Sequence, residues 1–93
     1  MKHLNICVSG AVQGVFYRAS AKAVADQLGI KGFVTNQNDG SVYIEAEGDD
    51  FSLELFLEFC HKGPDRAVVD KVETQEAELK NYLNFEILKR NLV

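Results

Sequence analysis

Before Asp26 the chain has no acidic side chain at all. Each of its 14 Asp and Glu residues lies at that position or beyond, so Lys2, Arg18 and Lys22 are the only charged side chains upstream. Positive potential therefore gathers in the N-terminal segment, although the whole chain has a net charge of −4. That acidic balance argues against a long polyanion such as duplex DNA as the main partner. Proline occurs once and cysteine twice. Cys7 and Cys60 have neither metal-ligand nor redox-motif spacing and are expected as reduced structural thiols, one on a strand and one on a helix. Long apolar runs are missing too. The longest, residues 11–16, is interrupted by Gln13 and Gly14, far short of the roughly 20 residues of a membrane span. No stretch reads as a secretory leader, and with no disulfide framework the expected compartment is the cytoplasm.

What is present describes a folded chain. Its 93 residues are 46% hydrophobic and 26% charged, enough for one core but not two, so a single domain over residues 1–93 is expected. Leu4, Ile6 and Val8 alternate with Asn5, Cys7 and Ser9, the period of a strand with one buried face, ending near Gly10. Tyr17, Ala21, Val24 and Leu28 recur at helical spacing, which predicts a helix from Tyr17 to Leu28. Gly29 suits the left-handed residue after its end, with Ile30 folding back onto Ala25. Residues 32–35 form a short β-rich run, and Val42, Ile44 and Ala46 alternate with Tyr43, Glu45 and Glu47, predicting a hairpin that turns at Asp39-Gly40. Asp49 or Asp50 caps a second helix with Leu53, Phe56, Leu57 and Cys60 on one face, widened by Phe51, Leu55 and Phe59, and Gly63-Pro64 stops it. A strand over residues 67–74, a polar loop near residues 76–81 and a last strand around Phe85 and Ile87 complete the pattern.

Strand, helix, strand, strand, helix, strand plus a short extra strand is the α+β order of the ferredoxin-like split βαβ sandwich, an antiparallel-type sheet with two helices on one face. In it the first two strands run in the same direction with the third between them, because the right-handed crossover leaves a gap that the hairpin fills. With strands about 4.8 Å apart, the turn after Gly10 and the residue Asn36 are expected roughly 10 Å from each other.

The turn over residues 10–18 joins a strand end to a helix start, where unpaired amides and the helix dipole favour an anion and glycine lets the backbone come close. Arg18 falls in the first helical turn, a position that disfavours a cation by up to about 1 kcal/mol unless something compensates. A phosphate held by the loop amides and the guanidinium does so. A lone arginine at a helix end is ordinarily a solvated surface residue. The glycine-bounded loop before this one, and the lack of an acidic neighbour in sequence, set it apart. The P-loop needs a lysine where Val15 stands, the dinucleotide fingerprint's glycine spacing is missing, and Cys7 precedes the loop and cannot serve as a nucleophile at its base.

The segments VSGAVQGVFYR, LGIKGFVTNQNDGSVYIEAEG and GPDRAVVDKV resemble the acylphosphatase family across essentially the whole chain. The resemblance implies a ferredoxin-like enzyme that hydrolyses the mixed anhydride of a carboxylic acid and phosphoric acid, with no metal or cofactor. By position it implies that Arg18 binds the phosphoryl oxygens together with the loop of Ala11, Val12, Gln13, Gly14, Val15, Phe16 and Tyr17, and that Asn36 orients the attacking water. The implied partners are a small-molecule acyl phosphate as substrate and inorganic phosphate or sulfate as product or mimic, with no nucleic acid, no membrane and a monomeric state. Phe33 stands where many members have Trp, and Tyr17 where many have Phe; both keep an aromatic body.

Other residues read as structural. Glu45 and Glu47 are expected on the solvent face of their strand, His3 and His61 at a terminus and a helix end with no ligand partner nearby in sequence, and Phe16, Tyr17 and Phe33 in the core or site wall. A nucleic-acid-binding module of the same topology is the rival class, since Lys31-Gly32-Phe33-Val34 echoes the basic-aromatic motif of RNA-recognition domains. A carbamoyl-phosphate-hydrolysing relative is the second rival.

Overall fold

A computed structural model describes residues 1–89. Five strands, β1 (Lys2–Ala11), β2 (Lys31–Asn36), β3 (Val42–Gly48), β4 (Val68–Ala77) and β5 (Phe85–Leu88), form one sheet in the order β4-β1-β3-β2-β5. Helices α1 (Tyr17–Leu28) and α2 (Asp50–Lys62) complete the element order. β3 lies antiparallel to both β1 and β2, so those two run the same way with β3 between them, as the crossover rule requires. β4 is antiparallel to β1, whereas β5 lies parallel to β2, which makes the sheet mixed rather than purely antiparallel.

Local chemistry sets the helix ends. At the C-terminus of α1, Gly29 is left-handed (φ 72°), and the Ile30 amide donates to the Ala25 carbonyl at 2.8 Å, the expected Schellman closure. α2 is capped by Asp49, whose Oδ1 accepts from the Ser52 amide at 2.7 Å. Among the described residues, no helix is long and apolar enough to cross a membrane.

The core lies between the helices and one sheet face. Ile6, Val8, Val34, Val42 and Ile44 meet Ala21 and Ala25 of α1 and Leu53, Phe56 and Cys60 of α2. Phe51 does not widen that stripe: it is 69% exposed in the first turn of α2. The two helices are tied by Tyr17, fully buried, whose hydroxyl donates to the Cys60 carbonyl at 2.7 Å. Burial pushes the Cys60 thiol up to about 12, and both cysteines are free, as expected.

The opposite sheet face departs from expectation. Glu45, Glu47 and His3 are buried, not solvated, because the segment joining β4 to β5 must cross from one sheet edge to the other and lies over them. Glu47 accepts from the backbone amides of Lys80 (2.6 Å) and Tyr82 (3.1 Å) and pairs with His3 Nδ1 at 2.7 Å. His3 Nε2 lies 2.7 Å from Asn5 Oδ1, and Glu45 accepts from the hydroxyls of Tyr43 and Tyr82. Phe33 packs against the Tyr43 and Tyr82 rings at centroid distances of 5.9 Å, on this face and away from the loop before α1. An alternation of polar side chains says only that a face lacks apolar residues, not that water covers it.

Burial pushes both carboxyls up, but the hydrogen bonds outweigh it. Tyr82, Tyr43 and Lys80 at Glu45, and the Lys80 amide, His3 and the Tyr82 amide at Glu47, leave both below their ordinary value of 4.5. A carboxyl whose folded pKa is depressed stabilises the fold above its unfolded value and loses that contribution as pH falls through the folded one. Thermal unfolding temperature is therefore expected to hold above pH 4.5 as far as this pair is concerned and to fall below it. In urea denaturation Glu47→Ala is expected to cost about 3 kcal/mol by stranding a buried partner. Glu73→Ala, on the exposed β4, is expected to stay within about 0.5 kcal/mol. Equal effects would refute the stabilising role of the buried Glu47 contacts.

Candidate active site

The regular pairing of β1 with β4 shifts between Ser9 and Gly10. Gly10 adopts φ 128°, and a Cβ there would stand 2.2 Å from the Val68 carbonyl oxygen, so only glycine fits this bulge. Beyond it the chain leaves the sheet through Gly14 (φ 74°) and Phe16 (φ 64°) into α1. Helix α1 starts without a side-chain cap and without an acidic residue in its first turn. Among the described residues, no backbone carbonyl accepts from the amides of Gln13, Gly14, Val15 or Phe16; the first helical bond in this region is Ser20 amide to Phe16 carbonyl, 3.0 Å. A run of donors is thus left facing a helix N-terminus, the electrostatic setting of an anion site.

Of these residues, Gly14 and Phe16 border a cleft of about 450 Å3. Val12, Gly14, Phe16, Tyr17, Arg18 and Ala19 come from the loop and α1, Asn36 from the end of β2, and Ile87 and Lys89 from the end of the chain as described. Arg18, half-buried, donates from Nη1 to the Leu88 carbonyl at 3.2 Å, which holds the guanidinium against the end of β5. Asn36 closes the β2–β3 ladder opposite Val42, and its Oδ1 is buried with no hydrogen-bond partner among the described residues. The two residues singled out in the sequence, 18 positions apart, therefore share one cleft.

Other loop positions divide by role. Ala11 belongs to β1, paired with Val68, rather than to the loop. Val12 and Tyr17 are buried in the core and Val15 packs against it. Phe16 stands at the cleft with 74% exposure. Gln13 bridges loop and hairpin: its Nε2 donates at 2.8 Å to both the Gln37 and Ser41 carbonyls. That brace was not legible in the sequence, nor was the contribution of Ile87, Leu88 and Lys89, because it depends on β5 pairing with a strand more than 50 residues upstream. A parallel partner leaves no local sequence signal.

Among the described residues, no group of three or more His, Cys, Asp or Glu side chains is placed to hold a metal ion. The lining side chains among the described residues offer one guanidinium, one carboxamide and one ammonium, and none is a carboxylate or imidazole. Such a set binds and orients an anion and stabilises charge, without an evident proton acceptor.

Comparison with known proteins gives the same direction. The sequence profile of the family described as acylphosphatase matches residues 4–87. An acylphosphatase of Marinobacter nauticus is 53% identical over 72 residues, covering 77% of this chain and 78% of its own. One from Thermotoga petrophila is 48% identical over 87 residues, covering 94% and 97%. The crystal structure of acylphosphatase from Bacillus subtilis superposes with a TM-score of 0.92 at 34% identity, covering 95% of this chain and 99% of that one. The chain belongs to the acylphosphatase family, as an enzyme with its ferredoxin-like α+β fold.

Proposed function

We propose that the cleft hydrolyses small acyl phosphates, with the amides of residues 13–16 and the Arg18 guanidinium holding the phosphoryl group and Asn36 orienting the water that attacks it. The observation that carries this reading is that Asn36, whose buried Oδ1 finds no partner among the described residues, lines the same cleft as Arg18. Leaving such an acceptor unsatisfied costs about 1–3 kcal/mol. A small turn of the carboxamide toward the cleft would let a water donate one hydrogen to Oδ1, which removes that cost and keeps a lone pair free to approach phosphorus.

In the step, a bond forms between the water oxygen and phosphorus while the bond from phosphorus to the carboxyl oxygen breaks. The carboxylate leaves with the electron pair. Since carboxylic acids ionise near pH 4, this leaving group needs no protonation by the protein. The proton released by water passes to a phosphate oxygen of the substrate or to bulk water, consistent with a cleft whose described lining carries no carboxylate or imidazole. Charge on the phosphoryl oxygens is met by donors already in place, the arrangement on which phosphoryl transfer mainly depends. Gln13 is a positioning residue here: it touches no reacting atom but ties the amide-bearing loop to the turn after Asn36.

A nucleic-acid role is not favoured. The sheet face that would stack bases is overlaid by the segment containing Lys80 and Tyr82, with Glu45 and Glu47 beneath it.

Phosphate release from benzoyl phosphate in the presence of a chelator tests the reading directly. Arg18→Ala is expected to lower turnover at least about a hundredfold. Activity within a few-fold of wild type would remove Arg18 from the mechanism. Asn36→Ala is expected to act on kcat with KM little changed, since water is bound apart from the substrate. Gln13→Ala, losing two hydrogen bonds, is expected to reduce stability by about 2 kcal/mol and to lower kcat for every acyl phosphate alike. A kcat profile governed by a protein group titrating near neutrality would contradict the proposed route of the proton.

A further inference from the structure

The cleft is larger than a phosphoryl group requires. Ligand sites that enclose whole small molecules begin at about 300 Å3, and this one measures about 450 Å3. The loop amides, Arg18 and Asn36 account for one part of it. The side chains of Phe16, Ile87 and Lys89 line it as well, and the hydrolytic step gives them no role.

Phe16 is a bulky residue with left-handed backbone, an uncommon state whose occurrence at a site points to function. Its ring stands at the cleft with 74% exposure instead of packing inward. Ile87, 38% exposed, offers a second apolar surface from β5. Lys89 follows Ile87 by two residues, just past the end of β5, and lines the same cleft. Arg18 reaches the Leu88 carbonyl, one residue before Lys89, and Lys89 itself is exposed. Two cations and no acid line the cleft among the described residues.

Resting on the hydrolase reading above, we infer that Phe16, Ile87 and Lys89 form an acyl subsite selective for acyl phosphates with a flat apolar body and a second anionic group at its far end. The ring and the isoleucine cover the apolar body. Lys89 pairs with the distal anion across open water, so its effect is modest and falls with salt.

Three substrates separate the contributions: acetyl phosphate, benzoyl phosphate and 4-carboxybenzoyl phosphate. At low ionic strength the wild-type kcat/KM for 4-carboxybenzoyl phosphate is expected to exceed that for benzoyl phosphate by about threefold, the scale of one exposed ion pair. In 0.5 M salt the ratio is expected to approach one, as charges more than about 4 Å apart become screened. Lys89→Met is expected to bring the ratio to one at low salt as well, and Lys89→Gln to do the same. A wild-type ratio of one or less, or one indifferent to salt, overturns the subsite while benzoyl phosphate hydrolysis continues. A Lys89→Met loss equal on all three substrates overturns it as well, since Lys89 would then serve the phosphoryl group. Phosphate release from none of the three defeats the hydrolase reading itself, and the subsite with it. The wild-type salt series needs no variant and decides the matter even if both substitutions impair folding.

Discussion

Gln13 uses one carboxamide nitrogen to join two pieces of chain that the sequence keeps more than 20 residues apart, the loop before α1 and the turn between β2 and β3. Its two bonds close the gap between the ends of β1 and β2, which the right-handed crossover brings to one edge of the sheet without placing them side by side. Everything at the cleft depends on that closure. The loop supplies amides and Arg18, the turn follows Asn36, and a small displacement of one against the other would separate the anion from the water meant to attack it. Proximity is a large part of what such a site can contribute, because its chemistry asks for little else.

The far face of the sheet supports the same geometry from behind. The His3–Glu47 pair and the Glu45–tyrosine contacts fix the segment that crosses from β4 to β5, and β5 in turn presents the Leu88 carbonyl to Arg18. Burying carboxylates is costly unless nearly every lone pair finds a donor. Here the Lys80 and Tyr82 amides at Glu47 and the Tyr82 hydroxyl at Glu45 are supplied only when the crossing segment is in place. The cluster thus makes docking of that segment close to all-or-none, and β5 comes with it.

What the sequence discloses follows the range of the forces involved. The bounds of α1 and its left-handed stop at Gly29 are decided within a few residues and stand as read, and of the two cap candidates for α2 it is Asp49, not Asp50, that caps. Arg18 was conspicuous for a local reason: a cation in a first turn after a glycine-bounded loop. Asn36 was not, since asparagine before an Asn-Asp-Gly turn is ordinarily a turn former, and only its place on the shared edge and the family resemblance marked it. Glu45 and Glu47 were misplaced on solvent because the cover comes from residues more than 30 positions downstream. The walls contributed by Ile87 and Lys89 were hidden for the same reason.

Strand β4 is ten residues long, largely exposed, and among the described residues it pairs on one side only, with β1. Its outer row of amides and carbonyls is an open template on which another extended chain could add. Asp70, Lys71, Glu73 and Glu76 are spaced along that border, so an incoming strand would have to desolvate charges of both signs to seat itself. Their service is to the solution rather than to the molecule: they keep one copy of this sheet from becoming the seed of a longer one. Neutralising them together would leave the cleft intact and change instead how concentrated the protein can be kept.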